Sequence, residues 1–406
     1  MSLIAPFRAL RPVPASAARV AAVPYDVVNT DEARALADGN PLSFLHVSRA
    51  EIDLPPGTDP YADAVYQQAV QNFDRLKASA PFVVETEPSL YVYRLEMGAH
   101  AQTGVVGTFA LDEYDRDAIK KHERTRRDKE DDRTRHLIEL RAQTGPVFLT
   151  YRASRAVGAV VQQTTPAAPL FDFVAPDGIR HAIWRVDSAA VPDLVAAFGR
   201  ITALYIADGH HRAASAARAR AQLRGADGAN GEWDTVLAVA FPDDQMQILP
   251  YNRVVKDLNG HSAVSLLAAL RTRFDVAPGP ASPGRPGEVA MFLDGEWYTI
   301  GLGKAPVVTG EAADRLDVSR LQDTVLTPLL GIGDVRSDKR IDFVGGARGT
   351  AALESAVASG AAAVAFSMYP VGVGDLMAIA DAGGIMPPKS TWFEPKLRDG
   401  LLSHLI

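Results

Sequence analysis

The stretch Tyr205-Ile206-Ala207-Asp208-Gly209-His210-His211-Arg212 constrains the fold most, because its character changes within a few residues. The apolar run 204–207 reads as a buried strand, and it stops at an acid and a glycine. Residues 213–223 are alanine-rich and favour a helix. A strand, a tight turn and the first turn of a helix are expected. Asp208 is placed to cap the helix, and Gly209 allows the backbone to approach a ligand closely. Unpaired N–H groups at a helix start attract anions, and His210, His211 and Arg212 add to that attraction. An ordinary capped helix with two surface histidines is the plain reading. Four polar functional residues within five positions after an apolar strand favour a site.

Around this segment the hydrophobic period switches between two and 3.6. Period two over 91–96 and 105–111, with Gly98 and Gly104 between, predicts a hairpin. A second hairpin is predicted over 289–293 and 297–301, turned by Asp294-Gly295. Further strands are expected at 147–151, 182–186, 236–241, 247–251, 341–344 and 363–369, and 40–47 reads as a turn and then a strand. Helices are expected over 31–37 (capped by Asn29 or Thr30), 62–76, 191–198, 262–274, 317–330, 351–358 and 375–380. Hairpins mixed with strand-helix alternation imply an α+β, or mixed α/β, fold rather than a regular doubly wound sheet. The expected domains are an N-terminal α/β segment over 1–85 packing on the core, and a central α/β domain over 86–276 carrying the turn. A proline-rich linker over 277–287 and a C-terminal α/β domain over 288–406 follow.

Composition removes several function classes. With no cysteine, disulfides, thiolate catalysis and cysteine-ligated metal are excluded. A net charge of −7 argues against broad nucleic-acid binding. Pro6 and Arg8 interrupt the N-terminus, which is not read as a secretory leader, and no apolar run is long enough for a membrane span. A cytoplasmic location is expected, with no membrane partner.

Other constellations bear on chemistry. The run Lys120 to His136 is dense in charge and net positive. It reads either as a solvated helix with pairs such as Glu123–Arg127 and Asp131–Arg135, each worth about 0.2–0.5 kcal/mol, or as a ligand-facing element with little face to bury. In the second case His122-Glu123 supplies a base, and Arg124, Lys129 or Arg133 a charge clamp. Tyr25-Asp26 either lines a cleft or finishes a strand. Lys389-Ser390-Thr391 lacks the glycine frame of a nucleotide P-loop, since two prolines take its place. A rigid loop presenting a lysine and two hydroxyls to an anion stays open beside a tail pinned by Trp392 and Phe393. Zinc is disfavoured, because adjacent His210 and His211 diverge by about 100° on a helix and no HExxH spacing occurs. No GxSxG elbow supports a serine hydrolase.

Together, Val23-Pro-Tyr-Asp-Val-Val, Lys121-His-Glu-Arg-Thr with Asp132-Arg133, and Ile206-Ala-Asp-Gly-His-His-Arg resemble the domain of unknown function 1015 family. Asn40-Pro-Leu-Ser-Phe-Leu-His-Val and Met386-Pro-Pro-Lys-Ser-Thr-Trp-Phe-Glu-Pro-Lys resemble its markers too. Asp208-Gly-His-His-Arg is more distantly similar to the motif of ADP-dependent free-serine kinases, which share a fold with ParB nucleoid proteins and sulfiredoxin. That resemblance implies a ParB/sulfiredoxin-like core with added hairpins and helices, a glutamate base at Glu123, and phosphates handled by Asp208 to Arg212. Sulfiredoxin chemistry itself is excluded, since its nucleophile is a cysteine.

The function expected is a small-molecule phosphotransferase, such as a nucleotide-dependent kinase of free serine or a related hydroxy amino acid. A phospho-amino-acid phosphatase or a non-catalytic nucleotide- or metabolite-binding regulator are the alternatives. Glu123, Asp208 and His210 are the expected catalytic residues. Gly209, His211, Arg212, Arg133, Lys389, Ser390 and Thr391 are expected to bind phosphate or nucleotide, and His122, Tyr25 and Asp26 the substrate. Mg²⁺, held by Asp208, with ADP or ATP are the expected cofactors, and a homodimer is compatible with this reading. His122-Glu123, Asp208–Arg212 and Lys389–Thr391 should then meet around one pocket.

Overall fold

The computed structural model describes residues 2–79, 82–225, 228–304 and 311–406. It divides into one unit of Met1–Met246 with Pro395–Ile406, and another of Gln247–Glu394. Thirteen α-helices and four sheets among the described residues make the fold mixed α/β.

In the first unit, the strand Leu204–Asp208 lies one place in from the edge of a nine-stranded sheet. It pairs in parallel with the edge strand Ile119–Lys120 and antiparallel with Val147–Tyr151. Thr235–Pro242 follows in parallel, and then His100–Ala110, Tyr91–Met97, Arg180–Arg185 and Phe171–Val174 continue antiparallel. One sheet face buries Val147 and Leu149, Leu204 and Ile206, and Val236, Ala238 and Ala240, at the spacing of two that strands require. Ala213, Ala216 and Ala219 of helix His210–Leu223 join that core, their spacing of three keeping them on one helix face. The small side chains let this helix lie close to the sheet.

A four-stranded sheet of the same unit runs Phe82–Val84, Ala9–Pro12, Ser403–Leu405, Ala142–Gln143. It ties the C-terminal segment beside the start of the chain. A second core gathers here from helices Thr30–Ala37, Leu45–Ser48 and Asp63–Ser79. Asn29 caps the first of them through a full capping box with Glu32.

Some expectations are corrected. Residues 40–47 form a turn and then the helix Leu45–Ser48, not a strand, because buried Phe44 and Val47 belong to the helical core. Phe44 meets Phe73 edge to face at 6.0 Å. The charge run is helical only over Arg127–Leu140, and that helix does bury a face: Asp132, Thr134, His136, Leu137 and Leu140. Its ion pairs also differ from the Glu123–Arg127 and Asp131–Arg135 pairs expected. Arg218 bridges Glu130 and Asp131, and Arg135 reaches Asp63 and Glu139.

The second unit is built on an antiparallel sheet in the order Asp275–Pro278, Glu296–Gly301, Glu288–Leu293, Val364–Met368, Tyr251–Val255, Ile341–Gly345. Asp294 and Gly295, at φ 52° and 84°, form the tight hairpin turn that the sequence predicts. The proline-rich stretch joins two strands of this one sheet. The strand expected over 247–251 is split, since Ile248–Leu249 pairs with Trp392–Phe393 and Tyr251–Val255 enters the larger sheet. The helix expected over 317–330 is α-helical only over Asp317–Leu321 and continues as a π-turn over Gln322–Leu326. No described helix is long and apolar enough to cross a membrane.

Candidate functional site

Strand Leu204–Asp208 passes into helix His210–Leu223 through Gly209, whose φ of 92° lies in the left-handed region. A Cβ there would also come within 3.4 Å of Val147 Cα. Gly209, not Asp208, holds the capping position, and no side chain caps the helix. The Asp208 carboxylate sits one residue earlier. Its Oδ1 accepts the Gly209 N–H at 2.8 Å, and its Oδ2 accepts from Lys396 Nζ at 2.8 Å. Burial alone would raise the Asp208 pKa, but the Lys396 ammonium and the Arg212 guanidinium outweigh it and hold the group well below the usual carboxylate range.

The loop between Ile119–Lys120 and helix Arg127–Leu140 is stitched to this turn by two backbone donors. The Arg126 N–H donates to His211 Nε2 at 3.1 Å, and the His122 N–H approaches His210 Nε2 at 3.4 Å. Both histidines of the motif therefore turn an acceptor nitrogen toward the loop. The His122 and His210 rings stand perpendicular, with centroids 4.4 Å apart. Glu123 Oε2 lies 3.9 Å from His210 Nδ1, and its side chain is 49% exposed. Burial depresses all three imidazoles, taking His122 down to about 4 and His210 well below the ordinary value, with His211 also lowered. They are neutral at neutral pH, so positive charge at the turn comes from Arg212 and Lys396. His122, Glu123 and His210 also form a group whose donor atoms all lie within 4.8 Å of one another, a set able to hold a metal ion. Adjacent His211 is not part of that group, whose two histidines are 88 positions apart in the sequence.

Arg212 donates to the Pro146 carbonyl at 2.8 Å and to Asp26 Oδ1 at 3.2 Å. Its guanidinium lies 5.8 Å from the Tyr25 ring, and that of Arg133 lies 4.3 Å from the same ring. Arg133 is held by Asp132 and the Ser48 carbonyl, while Asp132 also accepts the Tyr66 hydroxyl at 2.8 Å. Tyr25, Arg133 and Arg212 line a cavity of about 60 Å³ together with Ser48, His136, Gly145 and Asp399. Burial, opposed by Arg212 and reinforced by Asp26, pushes the Asp399 carboxyl up to about 7. Its Oδ1 has no hydrogen-bond partner among the described residues. Gly145 makes room for it, since a Cβ there would stand 2.7 Å from that oxygen.

The first unit thus brings together Tyr25, Asp26, His122, Glu123, Arg133 and Asp208 to Arg212. Lys389, Ser390 and Thr391 lie in the second unit. There the Lys389 carbonyl accepts from Arg253 at 3.1 Å, its ammonium lies 5.3 Å from the Tyr251 ring, and Ser390 donates to the Pro387 carbonyl. Lys396 and Asp399 were not singled out from the sequence. The one signal is that Lys396 ends the C-terminal marker segment and Asp399 follows it by three residues.

A family profile described as "Protein of unknown function (DUF1015)" matches residues 4–319. No curated protein matches the chain. Among solved structures, a free serine kinase variant in complex with ADP is similar at 14% identity and a TM-score of 0.35, over 72% of this chain and 92% of that one. A conserved hypothetical protein from Pyrococcus furiosus is similar at 14% identity and a TM-score of 0.35, over 73% and 94%. SbnI with C-terminal truncation from Staphylococcus aureus is similar at 12% identity and a TM-score of 0.39, over 72% and 85%.

Proposed function

We propose a phosphotransferase role for this chain, which belongs to the DUF1015 family of proteins of unknown function. Its acceptor in this reading is a small hydroxyl compound such as free serine, and its donor is ADP or ATP. The observation that carries the proposal is the position of Glu123: a half-exposed carboxylate 3.9 Å from His210, the first residue of a helix. A base beside a cluster of free N–H groups is the pairing that hydroxyl phosphorylation needs.

Glu123 takes the proton of the acceptor hydroxyl. The backbone at Gly209 and the first helical turn, with His211 and Arg212, receive phosphoryl oxygens. His210 acts as a neutral hydrogen-bonding group beside the reacting centre. Asp208 would hold Mg²⁺, which when bound would supply neutralisation of phosphate charge. Asp208 suits that part because each of its oxygens has one partner in the fold and keeps a further lone pair. Tyr25, Asp26, Arg133 and His122 border the acceptor. The cavity lined by Tyr25 and Arg133, at about 60 Å³, has room for roughly four to six water-sized groups, the scale of a free amino acid. Kinship of the sheet with a ParB/sulfiredoxin-like core belongs to the same proposal and is supported by the Asp208–Arg212 motif.

Incubation with serine, Mg²⁺ and ADP or ATP, followed by mass spectrometry for phosphoserine, tests the reading. Absence of product together with no nucleotide-induced shift in melting temperature would overturn it. Release of inorganic phosphate from phosphoserine without nucleotide would select the hydrolytic direction instead.

A further inference from the structure

We infer that His122, Glu123 and His210 form a site for one divalent transition-metal ion of the zinc–cobalt class. The donor atoms lie within 4.8 Å of one another. An ion with bonds of about 2.1 Å needs tetrahedral donors about 3.4 Å apart. Glu123 Oε2 and His210 Nδ1, at 3.9 Å, are close to that already. Two imidazoles and a carboxylate suit a borderline ion better than Mg²⁺, which prefers an all-oxygen shell.

His122 supplies the second, independent observation. The side chain is only 2% exposed, and its Nδ1 has no hydrogen-bond partner among the described residues. The Ile206 backbone beside the ring favours a proton on the imidazole. A metal-binding histidine turns one unprotonated nitrogen to the ion and gives its other ring N–H to a nearby acceptor. The lone pair belongs to a ring packed at 4.4 Å against His210. A buried acceptor left without a donor is satisfied when a cation occupies the space it faces.

His210 must change tautomer to take part. Its Nε2 now faces the His122 N–H at 3.4 Å, and its Nδ1 faces Glu123. On binding through Nδ1, the ring proton moves to Nε2 and the 3.4 Å contact is given up. That contact is long for a hydrogen bond, so little opposes the exchange. The ion would keep at least one open position on the exposed Glu123 side. The inference does not rest on the phosphotransferase reading. The two meet at Glu123, because a bound ion takes the carboxylate that would otherwise serve as base.

The test uses the full chain, without an affinity tag and stripped of metal with a chelator. Co²⁺ is added while the visible d–d absorption is recorded, and Zn²⁺ is then added to displace it. One Co²⁺ per chain with an intense band of low coordination number is expected, bleached by one equivalent of Zn²⁺. Glu123→Gln, at a half-exposed position, should weaken Co²⁺ binding at least tenfold while leaving the metal-free melting temperature unchanged. His122→Ala should weaken it further, and His211→Ala should leave both stoichiometry and spectrum intact. No spectral change in the unmodified chain overturns the site. So does binding that Glu123→Gln and His122→Ala leave unaltered, which would mark adventitious binding only.

Discussion

Lys396 donates to Asp208 across 2.8 Å, although 188 positions separate the two residues. Lys396 is 8% exposed, and its partner carries the charge that ends the Leu204–Asp208 strand. The C-terminal segment is thereby fastened to the turn that organises the site. Lys396→Met removes the cation and leaves the carboxylate with only the Gly209 N–H. A loss of about 2–3 kcal/mol is expected, somewhat less than the roughly 3–5 of a fully buried pair, because Asp208 is partly open to water. Urea denaturation of Lys396→Met, Asp208→Asn and the double variant measures the coupling. A coupling near zero would show that the pair is incidental.

Gly209 gives a second expectation. Its left-handed φ makes any side chain strained, whatever the space around it. Gly209→Ala should cost about 1–2 kcal/mol from backbone conformation alone, and it should tilt the helix start away from the sheet. Denaturant midpoints read the first effect. Loss of nucleotide-induced thermal stabilisation reads the second, and an alanine variant that melts and binds like the parent would show that the turn tolerates a side chain.

Glu123→Gln separates chemistry from binding. The amide keeps the shape of the side chain but accepts no proton at neutral pH. If the carboxylate is the base, turnover should fall by about 10²–10⁴-fold while the substrate concentration dependence stays close to the parent's. Initial rates of phosphoserine formation settle it. Parent-like turnover would exclude the base role.

The local part of this architecture was legible in the sequence because local physics fixes it. The run 204–207, the glycine that can adopt a positive φ and the alanine-rich stretch after it each act through nearest neighbours. The Asp294-Gly295 hairpin was readable for the same reason, as was the spacing of Val65, Ala69, Phe73 and Leu76 on helix Asp63–Ser79. What escaped depends on distant partners. Asp132 looks like a solvent-facing charge until Tyr66 and Arg133 bury it, so the sequence shows little inner face on the Arg127–Leu140 helix. His122 and His210 become a pair only when the Ile119–Lys120 strand is laid beside Leu204–Asp208. Nothing within ten residues of Lys396 announces Asp208.

The buried histidines set a pH dependence whose direction follows from their environment. His122 and His136 are pushed from an ordinary 6.5 to about 4 by burial, and burial also holds His210 well below the ordinary value. In the fold they stay neutral, while the same side chains in the unfolded chain take up protons below about 6.5. Their stabilisation is therefore complete above 6.5 and is lost as pH falls toward 4. Asp399, pushed up to about 7 by burial, works in the opposite sense: it stays protonated in the fold while an unfolded aspartate ionises, so its penalty eases on acidification. His181, His211 and His404 are lowered by burial too, so the imidazoles outweigh Asp399. Stability should drop by at least about 1.4 kcal/mol per pH unit between 6 and 4.5, the slope for one net proton. Guanidinium midpoints across that range measure it, and His136→Asn should flatten the curve without touching the Asp208 turn. A profile that is level from pH 4 to 7 would mean that these imidazoles are not held neutral by the fold.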